Sequence, residues 1–179
     1  DNTFYFYDIS AGKLKVMEKG DSDFTHQYGV PCELAQYGNI YYIVYSNGLI
    51  RRWDKKMGEY TGQDTFFVGR ISKATDRLKI QLTPDGDLWL MYNQAVCYRN
   101  KTDKTWQELT AIKGMSNFFT CMDLDKDGNV WVGSSWSGLR RIDNATHQVE
   151  TMDGLKLGDG SVLNNDIQCL LADQNNGVW

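Results

Sequence analysis

The stretch that decides the fold is "DKDGNVWVGSSWSGLRRID", residues 125–143. It joins an acidic turn, a short apolar segment with a central Trp, a second turn at Gly138, and a segment that ends in Asp143. Gly and Asp tolerate positive φ and favour tight turns between neighbouring strands. The stretch therefore predicts short β-strands that follow one another through hairpin turns.

Similar stretches recur along the chain. When they are aligned on one aromatic residue, the anchors Tyr41, Trp89, Trp131 and Trp179 lie 48, 42 and 48 residues apart. Repeats of this length are typical of solenoids, propellers and arrays. No window shows sustained helical spacing of apolar residues, and each unit is interpreted as four short strands.

A four-stranded sheet of this size cannot bury both of its faces alone, and radial stacking of copies as a β-propeller buries them. We therefore predict an all-β fold, part of a β-propeller, with three complete blades and split half-blades at both ends. The anchor Trp side chains are expected to lie buried between blades. The predicted boundaries are a half-blade at 1–19, blades at 31–70, 78–111 and 118–152, and the start of a further blade at 167–179.

The chain begins within a strand-like run and stops on Trp179, inside the repeated motif. We therefore expect an arc cut from a larger ring. Two alternatives stay open: residues 3–8 pair with residues 177–179 of the same chain, or two copies complete one another's split blades. Exposed strand edges invite pairing, which is the physical argument for these alternatives.

Composition and net charge limit the classes of partner that the chain is expected to bind. The chain has 179 residues, of which 41% are hydrophobic and 23% charged, as in an ordinary globular domain. The net charge of −4 argues against a nucleic-acid partner, since such domains usually carry a basic face. No apolar run reaches 18 residues, and direct membrane insertion of this segment is not expected.

The cysteines indicate neither a metal site nor a disulfide. Cys32, Cys97, Cys121 and Cys169 form no C-x-x-C pair, and none has a zinc-ligand spacing to either histidine, His26 or His147. We predict four small buried thiols, and neither a cofactor nor a metal ion is expected.

One acidic segment matches half of a calcium loop. Asp123, Asp125, Asp127 and Gly128 take positions 1, 3, 5 and 6 of an EF-hand loop, but Ser134 stands at position 12, where a bidentate Glu belongs. The sister turns "LTPDGDLW" and "ADQNNGVW" keep the Gly but not the full set of acids. We therefore predict a hairpin turn without bound calcium.

The pattern "DKDGNVWVG" followed by "GLRRID" resembles the two-component regulator propeller repeat, and "NNDIQCLLADQNNGVW" (164–179) is similar to the entry into such a repeat. The resemblance is weaker where Tyr41 replaces Trp and where Ala95 replaces Gly. It implies the periplasmic sensor of a membrane-anchored hybrid histidine kinase of the Bacteroidetes type. Such a parent receives an oligosaccharide signal and relays it to a kinase outside these residues.

The resemblance also bears on partners and chemistry. It implies a segment that is not itself an enzyme, with the remaining blades of the parent or a second copy as partners. The alternatives are a fragment of a propeller-fold lyase or hydrolase, and a purely structural repeat segment. No catalytic residue is predicted, because the chain offers two isolated histidines and no G-x-S-x-G motif.

Ligand-binding residues are expected on the turns between second and third strands, which share one face of a propeller. Trp136 is an extra aromatic residue in the polar turn "SWSG" (135–138), and Tyr45 and Tyr92 precede the equivalent turns. An exposed aromatic ring can stack on a sugar. We predict that these three residues contact ligand; the alternative is that Trp136 caps the edge of its own blade.

Overall fold

A computed structural model places most of the chain in two compact units, Asp1–Asp76 and Arg77–Trp179. No helix in its described part is long and apolar enough to cross a membrane. The described residues are 4–18, 26–71, 77–92, 95–112, 118–152, 154, 156, 158–162, 166–173, 175 and 177–179.

The first unit contains a two-stranded hairpin and one four-stranded antiparallel sheet. The hairpin pairs β1 (Phe4–Asp8) with β2 (Lys13–Glu18). The sheet, called blade 1, has its strands in chain order: β3 (Pro31–Tyr37), β4 (Ile40–Tyr45), β5 (Ile50–Asp54) and β6 (Glu59–Asp64).

The second unit contains two further four-stranded meanders. Blade 2 consists of β7 (Leu78–Leu82), β8 (Leu88–Tyr92), β9 (Ala95–Arg99) and β10 (Gln107–Glu108), followed by a 3₁₀ turn at Thr110–Ile112. Blade 3 consists of β11 (Phe119–Leu124), β12 (Val130–Ser134), β13 (Gly138–Ile142) and β14 (Val149–Thr151). The prediction of an all-β chain with three four-stranded sheets is confirmed.

The connections β1–β2, β5–β6 and β13–β14 share the same chemistry, whereas in blade 2 Asn100 follows the third strand. An Asp at the end of the third strand accepts backbone N–H groups two and three residues ahead through Oδ1, which closes an Asx turn. These acceptors are Asp8 (3.0 and 3.1 Å), Asp54 (2.7 and 3.1 Å) and Asp143 (3.0 and 2.8 Å). The hairpin β1–β2 is therefore a third-and-fourth-strand hairpin.

A different Asp organises the connection from first to second strand in blade 3. Asp125 Oδ1 accepts the backbone N–H groups of Asp127 (3.0 Å) and Asn129 (2.9 Å). Asp125 Oδ2 accepts the indole N–H of Trp131 at 3.0 Å. One carboxylate thus ties the turn to the aromatic residue of the following strand.

The last described residues repeat this arrangement. Asp173 accepts the backbone N–H groups of Asn175 (2.7 Å) and Gly177 (2.8 Å) and the indole N–H of Trp179 (2.9 Å). Leu171 and Trp179 exchange two backbone hydrogen bonds of 2.9 Å. The described residues of this segment (166–173, 175 and 177–179), called the C-terminal hairpin, therefore have the form of a first and second strand.

The core of the second unit lies between blades 2 and 3. Trp89 and Met91 of β8 are buried against Val130, Val132 and Ile142 of blade 3. Alternate residues of a strand share one face, which is why these side chains meet. The prediction that Trp89 lies between blades is confirmed.

Trp131 is only partly buried and Trp179 is exposed, so the prediction that all anchors are buried is wrong for these two residues. Trp131 lies on the opposite face of β12 from Val130 and Val132, which pack on blade 2. The depth of burial therefore depends on which segment stacks on each face of the sheet. Equivalent positions in the repeat do not by themselves have equal burial.

Tyr41 does not match the Trp anchors either. It pairs across the sheet with Trp53, and both rings contact Phe6 of β1, with centroids 6.2 and 5.3 Å from it. Tyr41 thus faces the hairpin that precedes blade 1 in the chain. Trp89 instead faces blade 3, which follows its own blade.

The reason is a one-residue difference in register. Trp131 pairs with Arg141, two residues before the turn Asp143, whereas Tyr41 pairs with the residue directly before its turn Asp. A shift of one residue moves a strand side chain to the other face of the sheet. Tyr41 and Trp131, which the sequence alignment treats as equivalent, therefore lie on opposite faces of their sheets.

The cysteines are free thiols. Cys97 is buried and Cys121 partly buried, but Cys32 and Cys169 are exposed, which contradicts the prediction of burial for those two. Cys32 occupies an outward position of β3, where exposed and half-buried residues alternate.

We expect Asp125→Ala to lower the free energy of unfolding by about 2–3 kcal/mol, because it leaves the turn amides and the Trp131 indole without their charged acceptor. Asp127→Ala is the matched control: it removes an exposed carboxylate from the same turn and should cost less than about 0.5 kcal/mol. Urea unfolding measures both. Equal effects of the two substitutions would contradict this role of Asp125.

Candidate functional site

The "SWSG" turn between β12 and β13 presents an exposed aromatic side chain. Trp136 is 78% exposed, and its φ of 108° lies in the left-handed region. Bulky residues rarely adopt such a conformation, which costs on the order of 1–3 kcal/mol. The blade therefore holds the Trp136 backbone in a strained conformation and its indole in solvent.

Two neighbouring segments flank this turn. On one side, Ser135 donates its backbone N–H to the carbonyl oxygen of Phe118 (3.0 Å). On the other, Ser135 bridges to Asp166, and the Ile167 N–H donates to the Ser134 carbonyl oxygen (3.1 Å). The turn is thus anchored on both sides next to its exposed indole.

The flanking residues bring both apolar and polar groups. Phe118 is 56% exposed, and Asp166 is exposed and accepts a hydrogen bond from the Gln168 amide. Aromatic rings stack on the C–H faces of sugars, while carboxylate and amide groups bind hydroxyls. We call Trp136, Phe118, Asp166 and Gln168 the turn site.

Tyr45 is not part of an accessible surface. Its side chain is 2% exposed and packs with Ile43, Leu49 and Trp53 in the core of blade 1. The prediction that Tyr45 offers a ring to ligand therefore conflicts with its position. Tyr45 belongs to the first unit and Trp136 to the second.

The turn that follows Tyr45 is covered by neighbouring links. Ser46 donates its N–H to the Val30 carbonyl oxygen (2.9 Å), and Asn47 donates to the Gln27 carbonyl oxygen. Gly48 has a φ of 100°, and a Cβ there would clash with the backbone of Phe67. This turn is therefore packed, unlike the "SWSG" turn of blade 3.

Tyr92 lies at the end of β8 and is partly buried. It pairs with Leu78 and Ala95 in blade 2. Residues 93–94 of the equivalent turn lie outside the described residues. A role of Tyr92 in ligand binding stays a prediction.

Sequence reasoning missed Phe118 and Asp166. The signal for Phe118 was present in the pair Phe118-Phe119, because neighbouring strand residues point to opposite faces and Phe119 is the buried one. Asp166 had no such signal, since its contact with Ser135 spans 31 residues of chain (166 − 135).

The acidic residues that resemble a calcium loop accept hydrogen bonds within the fold. Asp123 Oδ1 accepts from the Gln81 amide (3.2 Å), and its Oδ2 accepts from the Ala172 backbone N–H (3.0 Å). Burial alone would raise the pKa of Asp125, but hydrogen bonds from Trp131 and Asn129 hold that pKa below its usual value. No cluster of three or more potential metal ligands occurs among the described residues.

His147 packs into the contact between blades 2 and 3. Its ring centroid lies 3.8 Å from that of Tyr98 and 5.7 Å from that of Trp89. Trp89 also donates its indole N–H to Asn144 Oδ1 at 2.9 Å. Burial lowers the pKa of His147, opposed by Asp87 and Asp143.

Comparisons with known proteins agree with this architecture. The family model "Two component regulator propeller" matches residues 113–136, a stretch that ends in the turn site. None of the curated protein sequences matches the chain.

Solved structures match over the whole chain at low identity. Virginiamycin B lyase from Staphylococcus aureus matches with a TM-score of 0.69 and 16% identity, over 99% of this chain and 55% of that one. A structural genomics protein of unknown function from Bacteroides thetaiotaomicron matches with a TM-score of 0.63 and 17% identity, over 99% of this chain and 50% of that one. The chain is a partial β-propeller.

A third structure is the extracellular domain of a putative hybrid two-component system from Bacteroides thetaiotaomicron. It matches with a TM-score of 0.57 and 16% identity, over 100% of this chain and 29% of that one. The chain therefore spans about half or less of the length of these structures. At such identity the likeness establishes the fold alone.

We expect stability to fall as the pH drops from about 7 to 5, because burial disfavours the charged form of His147. With its folded pKa below the ordinary value of 6.5, the contribution is fully present above that pH and is lost as the pH falls toward the folded pKa. His147→Phe should remove part of this slope in urea unfolding. Retention of the full slope in a folded His147→Phe variant would contradict this role of His147.

The positive φ of Trp136 leads to a second prediction, which concerns the free energy of unfolding. Trp136→Gly should leave the free energy of unfolding unchanged or raise it by up to about 1 kcal/mol, because Gly adopts positive φ without strain. Trp136→Ala keeps a Cβ at this φ and should show no such gain. A loss above about 1 kcal/mol in Trp136→Gly would instead show that the indole caps its own blade.

Proposed function

We propose that this chain is a ligand-binding segment of the extracytoplasmic sensor of a hybrid two-component system, and that it binds an oligosaccharide at the turn site. The observation that carries the proposal is the 78% exposed Trp136, held at a φ of 108° beside Phe118 and Asp166. Backbone strain kept at an exposed aromatic residue is typical of binding sites.

Two further findings support the sensor assignment. The regulator propeller model matches residues 113–136, which reach Trp136 of the turn, and similar folds occur in extracellular domains of hybrid two-component systems. On this proposal the segment is periplasmic and non-catalytic. A membrane-anchored parent would relay binding to a kinase that lies outside these residues.

The charges favour a neutral glycan. The net charge of −4 and the exposed carboxylate of Asp166 repel uronic acids and sulfated sugars. A neutral pyranose would stack on the Trp136 indole and donate hydroxyl hydrogen bonds to Asp166. Phe118 offers a second exposed apolar side chain, and its backbone is bonded to the same turn, which suits a chain of two or more sugar units.

The test is titration of the chain with a panel of neutral and acidic oligosaccharides, followed by calorimetry. Trp136→Ala should weaken binding of the neutral cognate glycan at least about tenfold, which corresponds to about 1.4 kcal/mol. Trp179→Ala is the matched control, since Trp179 is 79% exposed and lies in another hairpin. Its affinity should equal that of the unchanged protein.

Other outcomes separate the alternatives. Equal loss of affinity in Trp136→Ala and Trp179→Ala would place binding outside the turn site. Cleavage of a glycan by the chain would favour the lyase or hydrolase alternative. Retention of affinity in folded Trp136→Ala and Phe118→Ala would leave the turn site without a ligand role.

A further inference from the structure

The turn site lies across the contact between two repeat units. Trp136 belongs to the turn between β12 and β13 of blade 3, whereas Asp166 and Gln168 belong to the C-terminal hairpin. Both sides lie in the second compact unit, and Ser135 bridges directly to Asp166. We call the contact between blade 3 and residues 166–173 the seam. A ligand that contacts both the indole and the carboxylate therefore touches both sides of the seam.

Blade 3 binds both backbone polar groups of Ile167. The Ile167 N–H donates to the Ser134 carbonyl oxygen at 3.1 Å. The Thr120 hydroxyl donates to the Ile167 carbonyl oxygen. Because Ile167 follows Asp166 directly in the chain, these two bonds determine where the Asp166 carboxylate lies relative to Trp136.

The side chain of Ile167 packs at a position where blade 3 has no side chain of its own. A Cβ atom at Gly133 would lie 2.6 Å from Ile167 Cγ2 and 2.6 Å from the Cys121 sulfur, closer than Cβ atoms approach other atoms. In blade 2 the equivalent position, two residues after the repeat Trp, is Met91, which is buried in the core cluster. Gly133 thus allows the segment that carries Asp166 to approach blade 3 closely.

One carboxylate connects the seam to blade 2. Asp123 Oδ2 accepts the Ala172 backbone N–H at 3.0 Å, and its Oδ1 accepts the Gln81 side-chain amide at 3.2 Å. Gln81 lies on β7, Asp123 on β11 and Ala172 in the C-terminal hairpin. Asp123 therefore joins the first strands of three successive repeat units. A shift of the hairpin acts on the same carboxylate that blade 2 binds.

We propose that closure of the seam and ligand binding at the turn site are thermodynamically linked, with Gly133 and Thr120 as positioning residues. This inference rests on the proposed function. A sugar that stacks on Trp136 and bonds to Asp166 makes both contacts only when the two sides are docked, so it stabilises the docked arrangement. The linkage is reciprocal: a substitution that loosens the seam lowers the affinity, and a bound sugar tightens the seam.

Calorimetric titration with neutral hexasaccharides of glucose, mannose, galactose or xylose tests the effect of the seam on affinity. Gly133→Ala displaces Ile167 but keeps both ligand-binding side chains. It should weaken binding of the hexasaccharide that the unchanged chain binds by at least about fivefold. Gly158→Ala is the matched control, because a Cβ at exposed Gly158 meets nothing within 4 Å. Its affinity should equal that of the unchanged chain.

A second substitution removes one hydroxyl and keeps the shape of the side chain. Thr120→Val deletes the bond to the Ile167 carbonyl oxygen and should weaken binding of the same hexasaccharide by about threefold or more. Thr61→Val is its control, because the Thr61 hydroxyl donates to the Arg52 carbonyl oxygen at 3.5 Å in blade 1. That control should bind as the unchanged chain does.

Hydrogen exchange of backbone amides tests the reverse effect, of ligand on the seam. A saturating concentration of the hexasaccharide should slow exchange of the Ile167 and Ala172 amides at least about fivefold, and Gly133→Ala should speed their exchange without sugar. Unchanged affinity in Gly133→Ala and Thr120→Val, with binding lost in Trp136→Ala, would overturn the linkage and leave the proposed function standing. Absence of binding by every hexasaccharide, or binding that Trp136→Ala leaves unchanged, would overturn both.

Discussion

The hydrogen bond from an indole N–H to the carboxylate of the preceding turn is the interaction on which blade 3 depends. Asp125 holds two turn amides with one oxygen and Trp131 with the other. Gly128 makes the tight turn feasible, with a φ of 82°. Because one charged group accepts from two turn amides, the Asn129 side-chain amide and the Trp131 indole, a single side chain sets the first two strands and the aromatic ring.

Blade 2 uses its aromatic residue differently. Thr83 Oγ1 accepts the Asp87 N–H in its turn (3.0 Å), and the Trp89 indole N–H goes to Asn144 of blade 3. The repeat Trp therefore bonds to its own turn in blade 3, whereas in blade 2 it bonds to the neighbouring blade. The ring of His147 adds to the second arrangement, which makes the contact between blades 2 and 3 sensitive to its charge.

The turn site depends on the segments that stack beside blade 3. Ser135 of the "SWSG" turn is bonded to Phe118, directly before β11, and bridges to Asp166, while Trp136 keeps a left-handed φ. Tyr7 and Ile142 hold equivalent places in the repeat, yet one is exposed and the other buried. The neighbouring blade makes that difference.

The sequence by itself determined the strands and the turns, because alternation along a strand and the φ preferences of Asp and Gly act locally. It also singled out Trp136, which stands outside the repeated pattern. Only the tertiary structure decided that Tyr45 is buried, that Tyr41 lies on the opposite face from its expected place, and that Asp166 borders Ser135. These three features depend on strand register and on which segments stack against each other. A one-residue shift in register, or a contact between residues distant in sequence, produces no recognisable local sequence pattern.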